Sequence, residues 1–204
     1  MGPGAPVTPP IHQVPDDYHE VEHLVLLESD SILKLNILAL GLLVLGMVGM
    51  IAWRVVAIGL RGPLPGDGGI NLPWWAWGLL LIVGVIPLHE GLHGLAILWA
   101  GHKPRFGMML SKGAFYATAD DALFRRNVFI VIALAPLVGI TLLGMALTIL
   151  LSDDLGYYAA LLVALNAGSA IGDVWMTRAV LRYPPSALVR DEADSIRIYS
   201  RITL

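Results

Sequence analysis

"PLHEGLHGLA", Pro87–Ala96, sets two histidines and a glutamate into a run that otherwise reads as lipid-soluble helix. On a helix, residues four apart stand on one face, so His89 and His93 can share one metal ion while Glu90 reaches its water. Hydrocarbon penalises ionisable groups unless they face a protein interior or a polar cavity, and the default reading of such a group is functional. The bland alternative is a buried hydrogen-bond cluster that ties helices together. Gly84, Gly91 and Gly94 leave room for close packing or for substrate backbone, and Pro87 is placed to loosen the helix just before the site.

The same spacing recurs in "HEVEH", His19–His23, within the alternating stretch "YHEVEHLVLL". On a strand, residues four apart point the same way but lie roughly 13 Å apart, too far to share an ion. These histidines are expected to be ordinary solvated side chains, on a segment that is either a strand or interfacial.

The surrounding composition places both motifs in a membrane protein. Of 204 residues, 56% are hydrophobic and 14% charged, and the mean hydropathy is +0.72. A soluble domain cannot hide that much apolar surface. Four stretches are long enough to cross a bilayer, which takes roughly 20 apolar residues. They are Leu35–Trp53, Leu72–Gly101, Asn127–Ser152 and Leu155–Thr177. The expected fold is an all-α membrane protein with four transmembrane helices. Between helices two and three, "RFGMMLSKGAFYATA" reads either as a short cytoplasmic β-hairpin about Ser111–Gly113 or as an irregular loop.

The chain then divides into an N-terminal segment (1–34) with a Pro-rich tail, the four-helix region (35–181) and a C-terminal tail (182–204). The first 31 residues are Pro-rich and acidic and lack a basic n-region, so the first span is expected to act as an uncleaved anchor. "RGPLPGDGGINLP" joins spans one and two, whereas only "SDD" separates spans three and four, which should pack as a hairpin. Lys103, Arg105, Lys112, Arg125 and Arg126 crowd the second connection, and five arginines follow Thr177. The positive-inside rule therefore puts the β-hairpin and both termini in the cytoplasm, with Arg54 and Arg61 as the discordant charges. The absence of cysteine excludes disulfides and thiolate metal sites, and the net charge of −3 argues against a nucleic-acid partner.

Catalytic zinc usually takes three protein ligands. The other acid within an expected span is Asp173, in "NAGSAIGDVW", either a third ligand or a helix-end acid paired with Arg178. Asn166 stands seven residues earlier, on the same face of a continuous helix, in either a catalytic or an interhelical role. Gly168, Ser169, Ala170 and Gly172 should allow close approach to the second span.

"HEGLHG", "GHKPRFG", "ALAP" (Ala133–Pro136), "NAGSAIGD" and "VRDEADSIRIY" together resemble a zincin peptidase family of bacterial and archaeal membrane proteins. That family is itself similar to the site-2 proteases, zinc metalloproteases that cut within or near the membrane. The resemblance runs from about Asp16 to the C-terminus. It implies zinc as cofactor, held by His89 and His93, with Glu90 activating water. Asp173 matches the later-helix acid that serves as third ligand, although site-2 proteases have Asp-Gly where this chain has Gly172-Asp173-Val174. Asn166 matches, more loosely, a residue that helps bind the substrate carbonyl.

The expected function is thus a multi-pass zinc metalloprotease of a prokaryotic cytoplasmic membrane, acting on membrane-protein or peptide substrates. Two alternatives remain: a membrane-embedded metal hydrolase acting on lipid or small amides, and a silent binding protein with a structural metal. The expected topology is open to cysteine labelling, since the chain has no native cysteine. Ser111→Cys and Ser200→Cys should react from the cytoplasmic side and Ser152→Cys from outside; external labelling of Ser111→Cys would invert the site.

Overall fold

In the computed structural model, residues 10–26, 29–64, 72–109 and 114–201 are described. The first nine residues of the Pro-rich tail, most of the first interhelical connection and the Ser111–Gly113 turn lie outside them. Five helices account for most of the described residues, so the helical expectation holds in the main, but the strands are more than a single hairpin. The order is β1 (Tyr18–Val25), α1 (Ser29–Arg61), α2 (Trp74–Trp99), β2 (Arg105–Met109), β3 (Ala114–Thr118), β4 (Leu123–Arg125), α3 (Arg126–Leu150), α4 (Asp153–Ser169), α5 (Ile171–Val180), β5 (Leu188–Asp191) and β6 (Ser195–Arg201).

Three helical stretches are long and apolar enough to cross a membrane: Ile32–Arg61, Trp75–Trp99 and Arg126–Leu150. The fourth expected span is not one helix. It is the pair α4 and α5, bent by 47° at a break around Ala170. The Asn166 carbonyl there receives both the Ala170 N–H and the Ser169 hydroxyl, which closes α4. A seven-residue spacing across that break no longer implies a common face, so the straight-helix argument linking Asn166 to Asp173 does not apply.

The chain forms two compact units, and α1, α2, α3 and the α4–α5 region each run from one into the other. One unit contains α1 from Lys34 onward, the first part of α2, the latter part of α3 and α4. Its helices meet through missing side chains. A Cβ on Gly46 would stand 3.0 Å from the Ala167 Cβ, and one on Gly168 would stand 3.1 Å from the Leu43 Cβ and 3.3 Å from the Ala39 carbonyl. Gly168 therefore meets α1, not the second span as expected.

The discordant arginines are accounted for in the same unit. Arg61 Nη2 lies 2.7 Å from Asp153 Oδ1, and Arg54 Nη2 donates to the Asp153 carbonyl. Trp53 Nε1 donates to Thr148 Oγ1. The polar end of α1 is thereby spent on the α3–α4 corner, where it counts little as a free cytoplasmic-type charge.

The other unit holds the strands. A four-stranded antiparallel sheet has the order β1-β6-β5-β4, and β2 and β3 pair separately. Tyr18–Val25 is thus a strand, and the stretch after residue 182, read from sequence as a tail, supplies β5 and β6. One face of the larger sheet carries Phe124, Val189, Ile196 and Ile198 into a core with Ile97, Phe129 and Val180. The opposite face places Leu123, Leu188 and Tyr199 beneath Ile11, Val14 and Tyr18. Strand alternation explains this division, because successive side chains point to opposite faces.

The glycine contacts make a stability prediction. A Cβ on Gly144 collides with Val163, whereas one on Gly49 meets nothing within 4 Å. Gly144→Ala should cost about 1–3 kcal/mol, as overpacking typically does, and combining it with Val163→Ala should relieve the loss. Gly49→Ala should hold or raise the melting temperature. Thermal unfolding in detergent measures all three.

Candidate metal centre

The buried stripe of α2 is Val85, His89, His93, Ala96 and Ile97, continued by Ala100 just past its end. Its spacing follows the 3.6-residue period, so the two imidazoles belong to the inward face. Leu79, Ile82, Val83, Leu95 and Leu98 are exposed and suit a lipid surround. The ionisable side chains therefore avoid hydrocarbon, as the cost of burying them there demands.

His93 Nε2 lies 3.4 Å from Asp173 Oδ1. Asp173 is buried in the first turn of α5, where the positive end of the helix dipole favours a carboxylate. His89, His93 and Asp173 offer one ligand atom each, all within 4.8 Å of one another. Among the described residues they are the one such group found. Two donors held at about 2.0–2.1 Å around a tetrahedral ion stand roughly 3.3 Å apart, which is close to the His93–Asp173 separation.

The outer nitrogen of each imidazole is also accounted for. His93 Nδ1 is 2.9 Å from the Ile132 carbonyl. A carbonyl only accepts, so this nitrogen carries a proton, which leaves Nε2, facing Asp173, as the nitrogen that can ligate a metal. His89 Nδ1 is 2.9 Å from Asn166 Oδ1, and Asn166 Nδ2 donates to the Pro136 carbonyl over 3.1 Å. The Pro136 acceptor fixes which way the amide points, so Oδ1 faces the imidazole and His89 Nδ1 must donate. Asn166 is fully enclosed, at 0% exposure, and both ends of its amide are engaged. Two Nε2 atoms and a carboxylate form a donor set suited to zinc, with the supporting hydrogen bonds that ligating histidines usually make.

Glu90 is half-buried, one residue beyond His89. Thr177, one turn after Asp173, is buried with its hydroxyl unpartnered. Asp191 is an acid that motif spacing gave no reason to select. Its position opposite Ile196 on the core face explains why burial pushes its carboxyl up to about 6, although the Ala193 N–H donates to it. His93 and Asp173 both act on it electrostatically. The sequence signal was an acid at the inward phase of a strand, legible only once β5 was known.

The first motif has a different setting. His19 and His23 are exposed on β1, opposite Ser200 and Arg197 of β6, with a bulge between Glu20 and Glu22. His23 Nε2 stands 4.0 Å from a Glu192 carboxylate oxygen. Strand geometry separates these two imidazoles, as their alternating sequence indicated.

A family model described as "Putative zincin peptidase" matches residues 82–188, a segment that includes His89, Glu90, His93, Pro136, Asn166 and Asp173. No curated protein and no solved structure matches the chain.

Metal analysis separates the two motifs. His89→Ala and His93→Ala should strip zinc from detergent-purified protein, and Asp173→Ala should weaken its binding. His19→Ala combined with His23→Ala should leave about one zinc per chain, the content of one tetrahedral site. Full zinc retention by His93→Ala would remove α2 as the metal helix.

Proposed function

The chain belongs to the zincin peptidase family, and from that premise we propose that it is a membrane-embedded zinc metallopeptidase cleaving peptide bonds within or near the bilayer. The observation that carries this reading is the buried His89–His93–Asp173 group on apolar helices. Its four spans would be α1, α2, α3 and the bent α4–α5 pair, with the strands on the cytoplasmic side.

Zinc supplies Lewis acidity, which lowers the pKa of water toward ~7 and polarises a carbonyl. His89, His93 and Asp173 would hold the ion. Glu90 is the general base: its carboxylate takes a proton from the attacking water. The water oxygen bonds to the carbonyl carbon, the C–N bond breaks, and Glu90 returns the proton to the leaving nitrogen. Asn166 acts through His89, because both ends of its amide are committed to protein partners. A purely structural metal site has no need of a carboxylate in the Glu90 position, which favours hydrolysis over a silent role.

A transmembrane helix hides its peptide bonds in its own hydrogen bonds, so a substrate must be extended before cleavage. The paired strands β2 and β3 are suited to receive an added strand. Phe106 of β2 packs against Gly94, beside His93, and Thr118 of β3 donates to the Asp191 carbonyl over 3.0 Å. Phe106, Met108 and Phe115 leave an apolar, exposed face on this hairpin.

Glu90→Gln tests the chemistry directly. Glutamine fills the same space without accepting a proton, so zinc content should be retained while turnover falls by ~10²–10⁴. Parent-level cleavage of a processed membrane substrate by this variant would exclude Glu90 as the base.

A further inference from the structure

We propose that Pro136 is a positioning residue for the metal centre: by lacking an N–H it frees one carbonyl of α3 for His93, and through its own carbonyl it orients His89. The proposal rests on the zinc reading above and concerns how the ligands are aimed.

Pro136 lies within α3 and is among the most deeply buried side chains. In an unbroken helix the N–H of residue 136 would donate to the carbonyl of residue 132, four positions earlier. Proline has no such hydrogen, so the Ile132 carbonyl loses its helical donor. That carbonyl is the one His93 Nδ1 meets at 2.9 Å. The helix has given up a bond at the position where an imidazole needs an acceptor.

The second half of the device starts from the Pro136 carbonyl. It accepts from Asn166 Nδ2 at 3.1 Å, and this contact turns Asn166 Oδ1 toward His89 Nδ1 at 2.9 Å. Both imidazoles therefore donate through Nδ1, which leaves Nε2 as the nitrogen that would ligate. His93 is set by the Ile132 carbonyl and His89, through Asn166, by the Pro136 carbonyl, one helical turn apart on α3. A proline placed only to bend the helix would require none of these partners.

The test must separate the missing N–H from the shape of the ring. Pro136→Ala restores the donor, which then competes with His93 for the Ile132 carbonyl. Incorporating the α-hydroxy acid analogue of alanine at position 136 makes an ester linkage there, with neither ring nor N–H. Zinc affinity of the full chain in detergent, by competition with a chromophoric chelator, should be weaker by ~10–100-fold for Pro136→Ala, the usual cost of losing a supporting bond to a ligand. The ester form should bind as tightly as the parent.

Histidine ring ¹⁵N spectra of the metal-free protein add a readout that simple helix straightening would not move. The Nδ1–H signature of His93 should be lost in Pro136→Ala and kept in the ester form. Parent-like affinity of Pro136→Ala would overturn the proposal, as would an ester form as weak as the alanine form. If the alanine form fails to fold, the ester form decides alone, since it lacks the N–H: parent-like binding supports the proposal and weakened binding refutes it. Zinc retained by His93→Ala would instead refute the underlying metal assignment.

Discussion

An imidazole on a helix long and apolar enough to cross a membrane must find its hydrogen-bond partners inside the protein, and the layout around His89 and His93 follows from that constraint. Hydrocarbon offers no acceptor for Nδ1–H. The acceptors come from α3 through Ile132 and from α4 through Asn166. Neither acceptor is itself a charged group, so the histidines are aimed without adding net charge to the interior. The carboxylate of Asp173 is then the charge left to face them, and it arises where α5 begins anew. A break in one helix and a missing donor in another are thus complementary: each exposes polar backbone or side-chain capacity where an uninterrupted apolar span would have none.

Reading the sequence captured the elements whose evidence is local. The period of α2, the rival strand setting of His19–His23 and the runs that became β2 and β3 all lie within a few residues of their own signal. The four-stranded sheet was not legible as such, because β1 and β6 pair residues as distant as Glu20 and Tyr199. Nor was the break at Ala170. The small residues Gly168–Gly172 indicated close packing, but a glycine-rich helix and a helix about to bend have the same composition. Ile132 carries no side-chain chemistry that a motif could register; its part is played by a carbonyl, and the only trace in sequence is the proline four residues later.

Charge statistics were least informative where charges are used internally. Arg54 and Arg61 count against the expected orientation when each basic residue is weighted equally. In three dimensions both attend to Asp153, and Arg61 also donates to the Thr148 carbonyl at the close of α3. Such arginines stabilise a helix junction. Asp191 illustrates the converse: an acid in a stretch that looked polar and peripheral lies on the inner face of a strand.

The four-stranded sheet also imposes a parity rule on the topology. Hydrogen-bonded strands cannot occupy opposite faces of a bilayer, so β1, β4, β5 and β6 must all emerge on one side. For helices that cross a bilayer, the number of crossings between β1 and β4 must therefore be even, and so must the number between β4 and β5. With α1 and α2 as spans, the first interval is even. With α3 as a span, the second is even only if the bent pair α4–α5 supplies one net crossing. With α1, α2 and α3 as spans, a re-entrant α4–α5 that dipped in and returned would put β5 on the far side from β4, whereas the proposed four-span arrangement is compatible with the closed sheet.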